Sequence, residues 1–586
     1  MQNTLSFLLR QTYRIGKYNL ISYLLLIFML FLTLRITYSF FFPDFGEYIS
    51  SSYLISYLRS ISDAVILAIP YMLLRKRYRA FSFLFLFIVD LFLLSGIWYY
   101  RNFETVIPYT AFLMPENLNG LGPSILASIK MKDLLVVLPA IVFTVIYYKL
   151  LNPEIKETTL RKRLLYLILC LTFALPVQIN AGRNNYVGYL GERISILRHY
   201  GLFHLLRFDM LSHKPCNQAE LEEIKTFINP KSRRQSNHSG KRKNLILILT
   251  ESFTSWPIGL FLDKEEITPN LNKLLKQDGT VYFPHVLPQT NGGRSSDAQL
   301  ILNAGLLPLH SGAAAMIFGI NKYYSIPKAL ASKGYKSYNF ICDESNFWNQ
   351  GTTSISYGFD HLFDKYQLGS TGKKLNDRQL FEATTRHLTQ LQSPFYAQLV
   401  TFSTHFPYQA SNCVNPNPSI LNSKLPDKEV AYFLAAVQYT DKQIGWFIKE
   451  LKRKGLYDNS IIIITGDHED VTFNQFNGIG KVSLSDRFIP LIILNSPLCP
   501  NPQDAVIGQI DIYPSILDLM GVGDYAFTGL GSSVFEKIDD CAVFRTGEAI
   551  GKNSQKEIIS RKRKSWQISD MIIRSDYFKT HELKSY

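Results

Sequence analysis

Long apolar runs dominate the first 180 residues of the chain. They lie near residues 18–42, 52–74, 80–100, 132–151 and 163–180. A hydrocarbon core about 30 Å thick needs about 20 apolar residues in a helix to cross it. The pattern therefore predicts an α-helical membrane domain of five spans over residues 1–180. The first run is too long for a secretory signal peptide and has no small-residue cleavage site.

Basic residues between these runs predict the orientation. Twelve Lys and Arg residues lie in the N-terminal segment and in the second-to-third and fourth-to-fifth loops, against three on the other side. Lys and Arg accumulate in cytoplasmic loops, which places the twelve in the cytoplasm. Because five is an odd number of spans, we expect everything after residue 181 to lie outside.

After residue 243 the pattern changes to short apolar runs that alternate with amphipathic stretches. The apolar runs cover 244–250, 337–342, 395–402, 461–465 and 488–494, and the helical stretches include 267–278, 377–392 and 428–454. Apolar strands alternating with helices are typical of a mainly parallel sheet covered by helices on both faces. Ligands in such folds bind beyond the carboxyl ends of the strands, so we expect the chemistry just after these runs.

These patterns divide the chain into four segments. They are a membrane domain over 1–180, a polar juxtamembrane linker with amphipathic helices over 181–242, an α/β domain over 243–540 and a peripheral C-terminal segment over 541–586. The last segment is predicted to be strand and loop. Its basic run Arg561–Lys564 is predicted to be solvated surface, and the basic stretch 230–243 to be an exposed linker near anionic lipid headgroups.

Composition narrows the class of protein. Hydrophobic residues make up 47% and charged residues 19% of 586 residues, which excludes a disordered chain. The mean hydropathy of +0.02 fits a chain that is part membrane and part soluble. The net charge of +15 indicates cytoplasmic loops rather than nucleic-acid binding. Six scattered cysteines form neither a CxxC zinc motif nor a disulfide scaffold.

Acidic residues and a histidine follow two of the apolar runs. Glu251 comes directly after 244–250, and Asp467 and His468 follow the run 461–465 after one glycine. Carboxylate oxygens and imidazole nitrogens are ligands for divalent metals. Taken singly, such a Glu is usually a helix cap and such an Asp-His pair a turn. At equivalent ends of two strands, they favour a metal site.

A hydroxyl group is predicted at a helix start in NGGRSSDAQLILNAGLL, which begins at residue 291. A helix N-terminus stabilises an anion through its backbone N–H groups and dipole. Ser295 or Ser296 is therefore a candidate nucleophile toward phosphorus or sulfur, activated by a metal. The alternative is a Ser or Asp helix cap without catalytic function.

Two further segments after predicted strands are candidates. His405 follows 395–402 and is suited to contact a phosphoryl oxygen or to protonate a leaving group. Trp348 and Asn349 lie in a loop after 337–342, where they would form one wall of a headgroup pocket. The alternatives are a surface histidine and a buried aromatic residue.

Together these motifs resemble the lipoteichoic acid synthase branch of the alkaline phosphatase/sulfatase superfamily. The segments that carry the resemblance are 244–252, 291–309, 346–349, 357–364, 402–408, 437–470 and 507–522. The resemblance implies five membrane spans in the bacterial cytoplasmic membrane, followed by an extracytoplasmic α/β domain of the alkaline phosphatase/sulfatase type. It covers the chain from the spans to about residue 535.

The resemblance also implies one divalent metal, most commonly Mn²⁺, with Mg²⁺ or Zn²⁺ as alternatives. Its ligands would be Glu251, Ser295, Asp467 and His468, with Ser295 where the family usually has Thr. A serine hydroxyl can perform the same attack. His405 matches a phosphate-contacting histidine of the family, and Trp348 matches a tryptophan of the headgroup pocket.

Two positions depart from the family pattern. Gln350 stands where the family has an arginine that contacts glycerol phosphate, and Ile341 stands where it has a substrate-binding histidine. Phosphoethanolamine therefore becomes an alternative to phosphoglycerol as the transferred group. The C/S-x-P-x-R motif of sulfatases proper does not occur in the sequence, which argues against sulfate-ester hydrolysis.

The sequence thus predicts transfer of a phospholipid headgroup to an envelope glycan or lipid through a covalent phospho-Ser295 intermediate. The donor would be a membrane phospholipid, and no nucleic acid would take part. A phosphodiester or sulfate-ester hydrolase is the first alternative, and a catalytically degenerate envelope-binding protein is the second. The oligomeric state is left open.

Overall fold

The computed structural model describes most of the chain. The described residues are 2–41, 51–103, 106–109, 111, 125–126, 128–153, 155, 157–183, 193–228, 242–262, 264–408, 415–425, 428–470, 483–500, 502–536 and 538–583. The fold divides into two compact units. The helical unit comprises Met1–Phe112 and Ile125–Ser212, and the α/β unit comprises Leu113–Ser124 and His213–Tyr586.

The helical unit contains eight α-helices within the described residues. They are α1 (Gln2–Phe41), α2 (Ser51–Leu67), α3 (Ile69–Leu73), α4 (Arg79–Phe103), α5 (Leu134–Ile146), α6 (Leu160–Arg183), α7 (Arg193–Tyr200) and α8 (Leu202–Ser212). Short 3₁₀ turns cover Lys76–Tyr78 and Met131–Asp133, and a π-helical turn, Tyr147–Leu151, continues α5. α1 packs against α2, α4 and α5, and α2 packs against α6.

Four helical segments are long and apolar enough to cross a membrane. They are Tyr18–Phe41, Phe83–Arg101, Met131–Leu151 and Leu160–Ile179. The other predicted span, 52–74, is split between α2 and α3. The break falls at Ala68, two residues before Pro70, whose ring and missing N–H disfavour an uninterrupted helix. The prediction of an apolar helical domain is confirmed, and four of the five predicted spans are long, apolar helices among the described residues.

The α/β unit contains twelve strands and twelve α-helices among the described residues, with 3₁₀ turns at Phe347–Asn349, Leu484–Arg487 and Gln509–Asp511. The strands are β1 (Asn244–Thr250), β2 (Phe261–Leu262), β3 (Glu265–Glu266), β4 (Val281–Leu287), β5 (Lys336–Ile341), β6 (His361–Phe363), β7 (Phe395–Val400), β8 (Ser460–Gly466), β9 (Ile489–Leu494), β10 (Ile507–Gly508), β11 (Ala542–Val543) and β12 (Ala549–Ile550). The first six helices are α9 (Gln218–Ile228), α10 (Pro269–Leu274), α11 (Ser295–Ala304), α12 (Ala314–Ile317), α13 (Ile326–Ala331) and α14 (Gln350–Tyr357). The others are α15 (Asp377–Leu388), α16 (Pro418–Leu421), α17 (Lys428–Arg453), α18 (Ile512–Leu519), α19 (Lys556–Arg574) and α20 (Tyr577–Thr580).

Eight of the strands form one sheet in the order β10-β4-β9-β8-β1-β7-β5-β6. β9 runs antiparallel to both of its neighbours, and the remaining pairs are parallel. The predicted mainly parallel sheet is therefore confirmed. β1 lies between β8 and β7, so the ends of these three strands meet at one edge.

Alternate side chains of β1 enter two different hydrophobic cores. Leu245, Leu247 and Leu249 pack in one core together with α11 and α19. Ile246 and Ile248 pack in the other with α15 and α17. Successive side chains of a strand point to opposite faces, so a strand covered on both sides must be apolar throughout. This is why the sequence shows continuous rather than alternating apolar runs.

The C-terminal segment differs from its prediction as strand and loop. β11 and β12 are short, and α19 fills most of the remainder. Trp566 on α19 is 1% exposed, and Ile568 and Met571 belong to the same core as β1. The basic run is not simply solvated, because the Lys562 ammonium group lies 3.4 Å from an Asp539 carboxylate oxygen. Apolar residues at helical spacing in the second half of α19 account for this burial.

The segment predicted as a linker contributes to both units. Its described part forms α7 and α8 in the helical unit and α9 in the α/β unit, where α9 packs against α19. The α/β unit therefore begins before the predicted boundary at residue 243. Residues 230–241 of the basic stretch lie outside the described residues.

Candidate active site

Glu251 and Asp467 occupy matching positions at the ends of neighbouring strands. β1 and β8 run parallel, and their last paired residues are Thr250 and Gly466. The residue directly after each strand, Glu251 or Asp467, therefore carries a carboxylate at the same edge of the sheet. Gly466 is required at this point, because a Cβ atom there would lie 2.1 Å from the Phe253 carbonyl oxygen. The backbone of the turn after β1 thus passes directly against β8.

These carboxylates form a buried cluster with His468. One ligand atom from each of the three residues lies within 4.8 Å of the others. His468 Nε2 is 3.4 Å from Glu251 Oε1 and 3.5 Å from Asp467 Oδ2. Backbone N–H groups of Ser252 and His468 donate to Asp467 Oδ1, each at 2.7 Å, and fix its side chain.

The pKa values show how strongly these groups interact. Burial disfavours a charged His468, but Asp467 and Glu251 outweigh it and raise the pKa of the imidazole to about 9. Burial raises the pKa of Asp467 to about 7, and the charge on Glu251 adds to this. Burial also opposes ionisation of Glu251, but a hydrogen bond from His468 holds the pKa of that carboxyl well below its usual value. The cluster is therefore a site that attracts positive charge.

The three side chains fit a divalent cation. Asp467 Oδ2 is buried and has no hydrogen-bond partner among the described residues. His468 Nδ1 lies 2.9 Å from the Glu469 carbonyl oxygen, so Nδ1–H donates there and Nε2 faces the carboxylates. Two carboxylates and one imidazole are a usual donor set for Zn²⁺ and Mn²⁺.

Ser295 is the hydroxyl that reaches this cluster. It begins α11, and its Oγ lies 3.1 Å from Glu251 Oε2. Ser296 is buried and donates instead to the Gly293 carbonyl oxygen at 2.7 Å. The structure therefore distinguishes the two serines that the sequence left as alternatives. Asp297 accepts from Gly293 N at 2.8 Å and holds the loop that leads into α11.

Arg294, directly before Ser295, was not identified from the sequence. Its backbone has φ 43° and ψ −118°, a conformation that favours glycine. Its side chain is buried and lies 3.4 Å from Glu469 Oε1, the residue after His468. Arg545 and Arg487 contact the same oxygen at 2.9 and 3.3 Å. The position of Arg294 beside the candidate nucleophile was the only signal in the sequence, because its partner lies far along the chain.

His405 follows β7 on the other side of β1. The backbone around it is tied to Glu251, whose N–H donates to Thr401 Oγ1 at 3.1 Å and whose carbonyl oxygen accepts from the Thr404 hydroxyl. His405 Nδ1 lies 2.5 Å from the Phe406 carbonyl oxygen, which assigns its proton to Nδ1. Burial lowers the pKa of His405, Glu251 opposes this, and Lys374 lowers it further.

The predicted headgroup residues lie in one turn after β5. Trp348 and Asn349 have positive φ angles of 52° and 54°, and Asn349 Nδ2 donates to the Ala315 carbonyl oxygen at 2.8 Å. Trp348 is partly buried. Gln350 is buried, and its Oε1 accepts from Gln299 Nε2 of α11 at 3.1 Å. Gln350 thus supports the helix that carries Ser295.

Comparison with known proteins identifies the family. The lipoteichoic acid synthase N-terminal domain matches residues 1–210, and the sulfatase domain matches residues 243–522. Lipoteichoic acid synthase 1 of Bacillus subtilis (strain 168) is 26% identical over 552 residues, covering 85% of this chain and 86% of that protein. Lipoteichoic acid synthase of Staphylococcus aureus (strain USA300) is 26% identical over 578 residues, covering 88% of each.

A solved structure agrees with the fold. A lipoteichoic acid synthase from Listeria monocytogenes superposes with a TM-score of 0.52 at 21% identity, covering 62% of this chain and 99% of that chain. The predicted alkaline phosphatase/sulfatase fold is therefore confirmed. So is the predicted placement in the bacterial cytoplasmic membrane with the α/β unit outside. The chain belongs to the lipoteichoic acid synthase-like branch of the alkaline phosphatase superfamily, a branch of membrane phosphotransferases.

Proposed function

We propose that this protein transfers a phospholipid headgroup, phosphoglycerol or phosphoethanolamine, to an envelope glycan or lipid through a covalent phospho-Ser295 intermediate. The observation that carries the proposal is the contact of Ser295 Oγ with Glu251 Oε2, at 3.1 Å, inside the Glu251–Asp467–His468 cluster. A hydroxyl at a helix start beside a metal site is the arrangement that nucleophilic phosphoryl transfer requires.

Glu251, Ser295, Asp467 and His468 would hold one divalent metal, with Mn²⁺ most suitable and Mg²⁺ or Zn²⁺ as alternatives. When bound, the cation would lower the pKa of the Ser295 hydroxyl and neutralise charge on the phosphoryl oxygens. Asp467 Oδ2, which is buried and accepts no hydrogen bond among the described residues, supports this assignment. The chain itself supplies the orientation, since backbone N–H groups hold Asp467 and the Glu469 carbonyl holds His468.

In the first step Ser295 Oγ attacks the phosphorus of the lipid phosphodiester. A new P–O bond forms to Ser295, and the P–O bond to diacylglycerol breaks. The proton lost by the serine hydroxyl is balanced by the proton that the diacylglycerol oxygen gains. The dipole of α11 favours negative charge at this point, because Ser295 is the first residue of that helix.

In the second step a hydroxyl of the acceptor attacks the same phosphorus. The Ser295–phosphorus bond breaks, and the serine regains a proton. His405 is suited to accept the proton of the acceptor hydroxyl, because Nδ1–H is donated to the Phe406 carbonyl and Nε2 is the basic nitrogen. Its lowered pKa keeps the imidazole neutral and able to act as a base at neutral pH.

Two other functions remain as alternatives. A phosphodiesterase would use the same first step and pass the headgroup to water. A degenerate binding protein is disfavoured, because Glu251, Ser295, Asp467 and His468 are all present and brought together. Transfer and hydrolysis differ only in the second step, where either an acceptor hydroxyl or water attacks the phosphorus.

The test is mass spectrometry of the purified full-length protein after incubation with Mn²⁺ and phosphatidylglycerol or phosphatidylethanolamine, without acceptor. We expect a headgroup adduct on the peptide that contains Ser295. Ser295→Ala should lose the adduct and all turnover while keeping its thermal stability. Ser296→Ala is the matched control, because that neighbouring hydroxyl faces Gly293, and it should still form the adduct.

The outcomes separate the alternatives. Turnover retained by Ser295→Ala, or an adduct on another residue, would contradict the proposed nucleophile. In the wild-type enzyme, added candidate acceptors should discharge the adduct faster than water does. If acceptors have no effect, the enzyme is a hydrolase.

A further inference from the structure

An internal ammonium group lies beside the candidate headgroup pocket. Lys374 Nζ is 2.6 Å from Asp343 Oδ2. The same atom lies 4.1 Å from the ring centre of Phe347 and 4.6 Å from that of Phe402. A carboxylate and two aromatic rings around one point form a recognition site for an ammonium ion, since both the charge and the ring quadrupoles attract a cation. We call Asp343, Phe347 and Phe402 the ammonium cage.

The cage adjoins the residues proposed for catalysis. Phe402 stacks on His405, with ring centres 4.8 Å apart. Phe347 precedes Trp348 in the headgroup turn. The Lys374 segment is held against the end of β5, because Leu375 N donates to the Cys342 carbonyl oxygen at 2.9 Å. The lysine is therefore held in place by the backbone.

Two further carboxylates, those of Glu344 after β5 and Asp364 after β6, also have hydrogen-bond partners. Glu344 lies 2.8 Å from Lys365 Nζ and accepts from the Tyr366 hydroxyl at 3.0 Å. Asp364 is buried and accepts from backbone N–H groups, among them that of Tyr366 at 3.0 Å. A headgroup that carries an ammonium ion would have to displace Lys374 to reach the Asp343 carboxylate.

We propose that Lys374 sets headgroup selectivity by occupying the ammonium cage from within the chain, so that the site takes an uncharged polyol headgroup, phosphoglycerol, in preference to phosphoethanolamine. This inference rests on the proposed function and narrows its substrate class. An ammonium-bearing headgroup meets a cage that is already filled and a cation that repels it. A glycerol headgroup carries no cation, and the adjacent ammonium group can donate to its hydroxyls.

The test compares two donors in the full-length enzyme with Mn²⁺. Phosphatidylglycerol and phosphatidylethanolamine with identical acyl chains are supplied separately, and kcat/KM for diacylglycerol release is measured for each. The wild-type enzyme should prefer phosphatidylglycerol. Lys374→Met removes the ammonium group and keeps a side chain of similar length, and it should raise the ethanolamine-to-glycerol ratio about tenfold, between the effects of an exposed and a desolvated cation–aromatic contact.

Three further variants serve as controls. Lys374→Arg keeps the positive charge and should keep the wild-type ratio. Asp343→Asn combined with Lys374→Met removes the carboxylate of the cage and should cancel the gain. Lys336→Met breaks another lysine–carboxylate pair, with Asp360 at 2.8 Å, at the opposite end of β5 and should leave the ratio unchanged. Thermal unfolding of each purified variant identifies any that fail to fold.

The failure of this inference can be distinguished from failure of the proposed function. If Lys374→Met folds and turns over with an unchanged ratio, or if the wild type prefers phosphatidylethanolamine, the selectivity role is overturned. If neither donor releases diacylglycerol with wild-type enzyme, the proposed function itself is wrong. If Lys374→Met raises the ethanolamine-to-glycerol ratio and the double variant abolishes this rise, the result supports both the selectivity role of Lys374 and the proposed function.

Discussion

At the scale of single residues, His405 shows how local geometry sets a chemical role. The Phe406 carbonyl fixes the proton on Nδ1, so Nε2 is the nitrogen that accepts a proton. Burial lowers the pKa of the imidazole below its ordinary value of 6.5, and the ammonium group of Lys374 lowers it further. The neutral form of His405 therefore predominates at neutral pH, and this is the form that its proposed role as a general base requires.

This predicts a pH dependence of the second step. The basic form exists above the pKa, so kcat/KM for the acceptor should rise with pH and level off, with a midpoint below 6.5. His405→Gln should abolish this limb and lower kcat/KM by about 10²–10⁴-fold. The measurement is a pH profile at saturating Mn²⁺ for both proteins. If the rise of kcat/KM with pH persists in His405→Gln, another group is responsible for it.

At the scale of elements, Arg294 connects the start of α11 to the loop after β8. Its side chain contacts Glu469 at 3.4 Å, and Glu469 directly follows His468. The same contact therefore holds the segment that carries Ser295 and the segment that carries two of the proposed metal ligands. The unusual φ of Arg294 indicates that the backbone is held in this conformation by the surrounding packing.

Substitution of Arg294 separates the ion pair from the backbone conformation. Arg294→Ala and Arg294→Gly both remove the contact with Glu469, and each should lower kcat about 10–100-fold by loosening the alignment of Ser295 with the metal site. Glycine tolerates positive φ, so the Gly variant should be more stable than the Ala variant by about 1 kcal/mol. Denaturant unfolding and steady-state kinetics test the two effects. Equal stability of the variants would show that the backbone is not strained.

At the scale of the whole molecule, the sheet brings distant segments to one edge. β1, β7 and β8 end side by side, so residues 251, 405, 467 and 468 meet although more than 200 positions separate the first from the last. Two carboxylates buried together repel each other, and without a metal the protonated His468 compensates this repulsion. A bound divalent cation would do so more fully.

The α/β unit should therefore be stabilised by its metal. Mn²⁺ at about 100 times its dissociation constant should add about 2.7 kcal/mol to the free energy of unfolding. Chelation should abolish turnover, and Mn²⁺ should restore it. Asp467→Asn should reduce both the activity and the thermal shift caused by Mn²⁺. Asp504→Asn, which breaks an exposed ion pair with Lys552, should alter neither. An unchanged melting temperature with excess Mn²⁺ would contradict the metal site.

Much of this architecture follows from the sequence alone. The apolar runs of the helical unit exceed the length of a bilayer core, and continuous apolar strands need cover on both faces, so both fold classes are local properties of the chain. Glu251, Asp467 and His468 were predictable as a group, because the carboxyl ends of parallel strands meet at one edge. The sequence also placed a serine at the start of α11.

The tertiary structure decided which partners these residues meet. Ser295 rather than Ser296 faces Glu251 because the loop before α11 turns at Arg294, whose partner Glu469 is remote in sequence. The C-terminal helix α19 lies in the core rather than at the periphery, because its second half packs beneath the sheet. Lys374 and Asp343 form an ion pair between segments about 30 positions apart, and this contact sets the charge beside the proposed headgroup pocket. Periodicity and strand ends are set by local sequence, whereas side-chain pairing depends on the packing of segments that are distant along the chain.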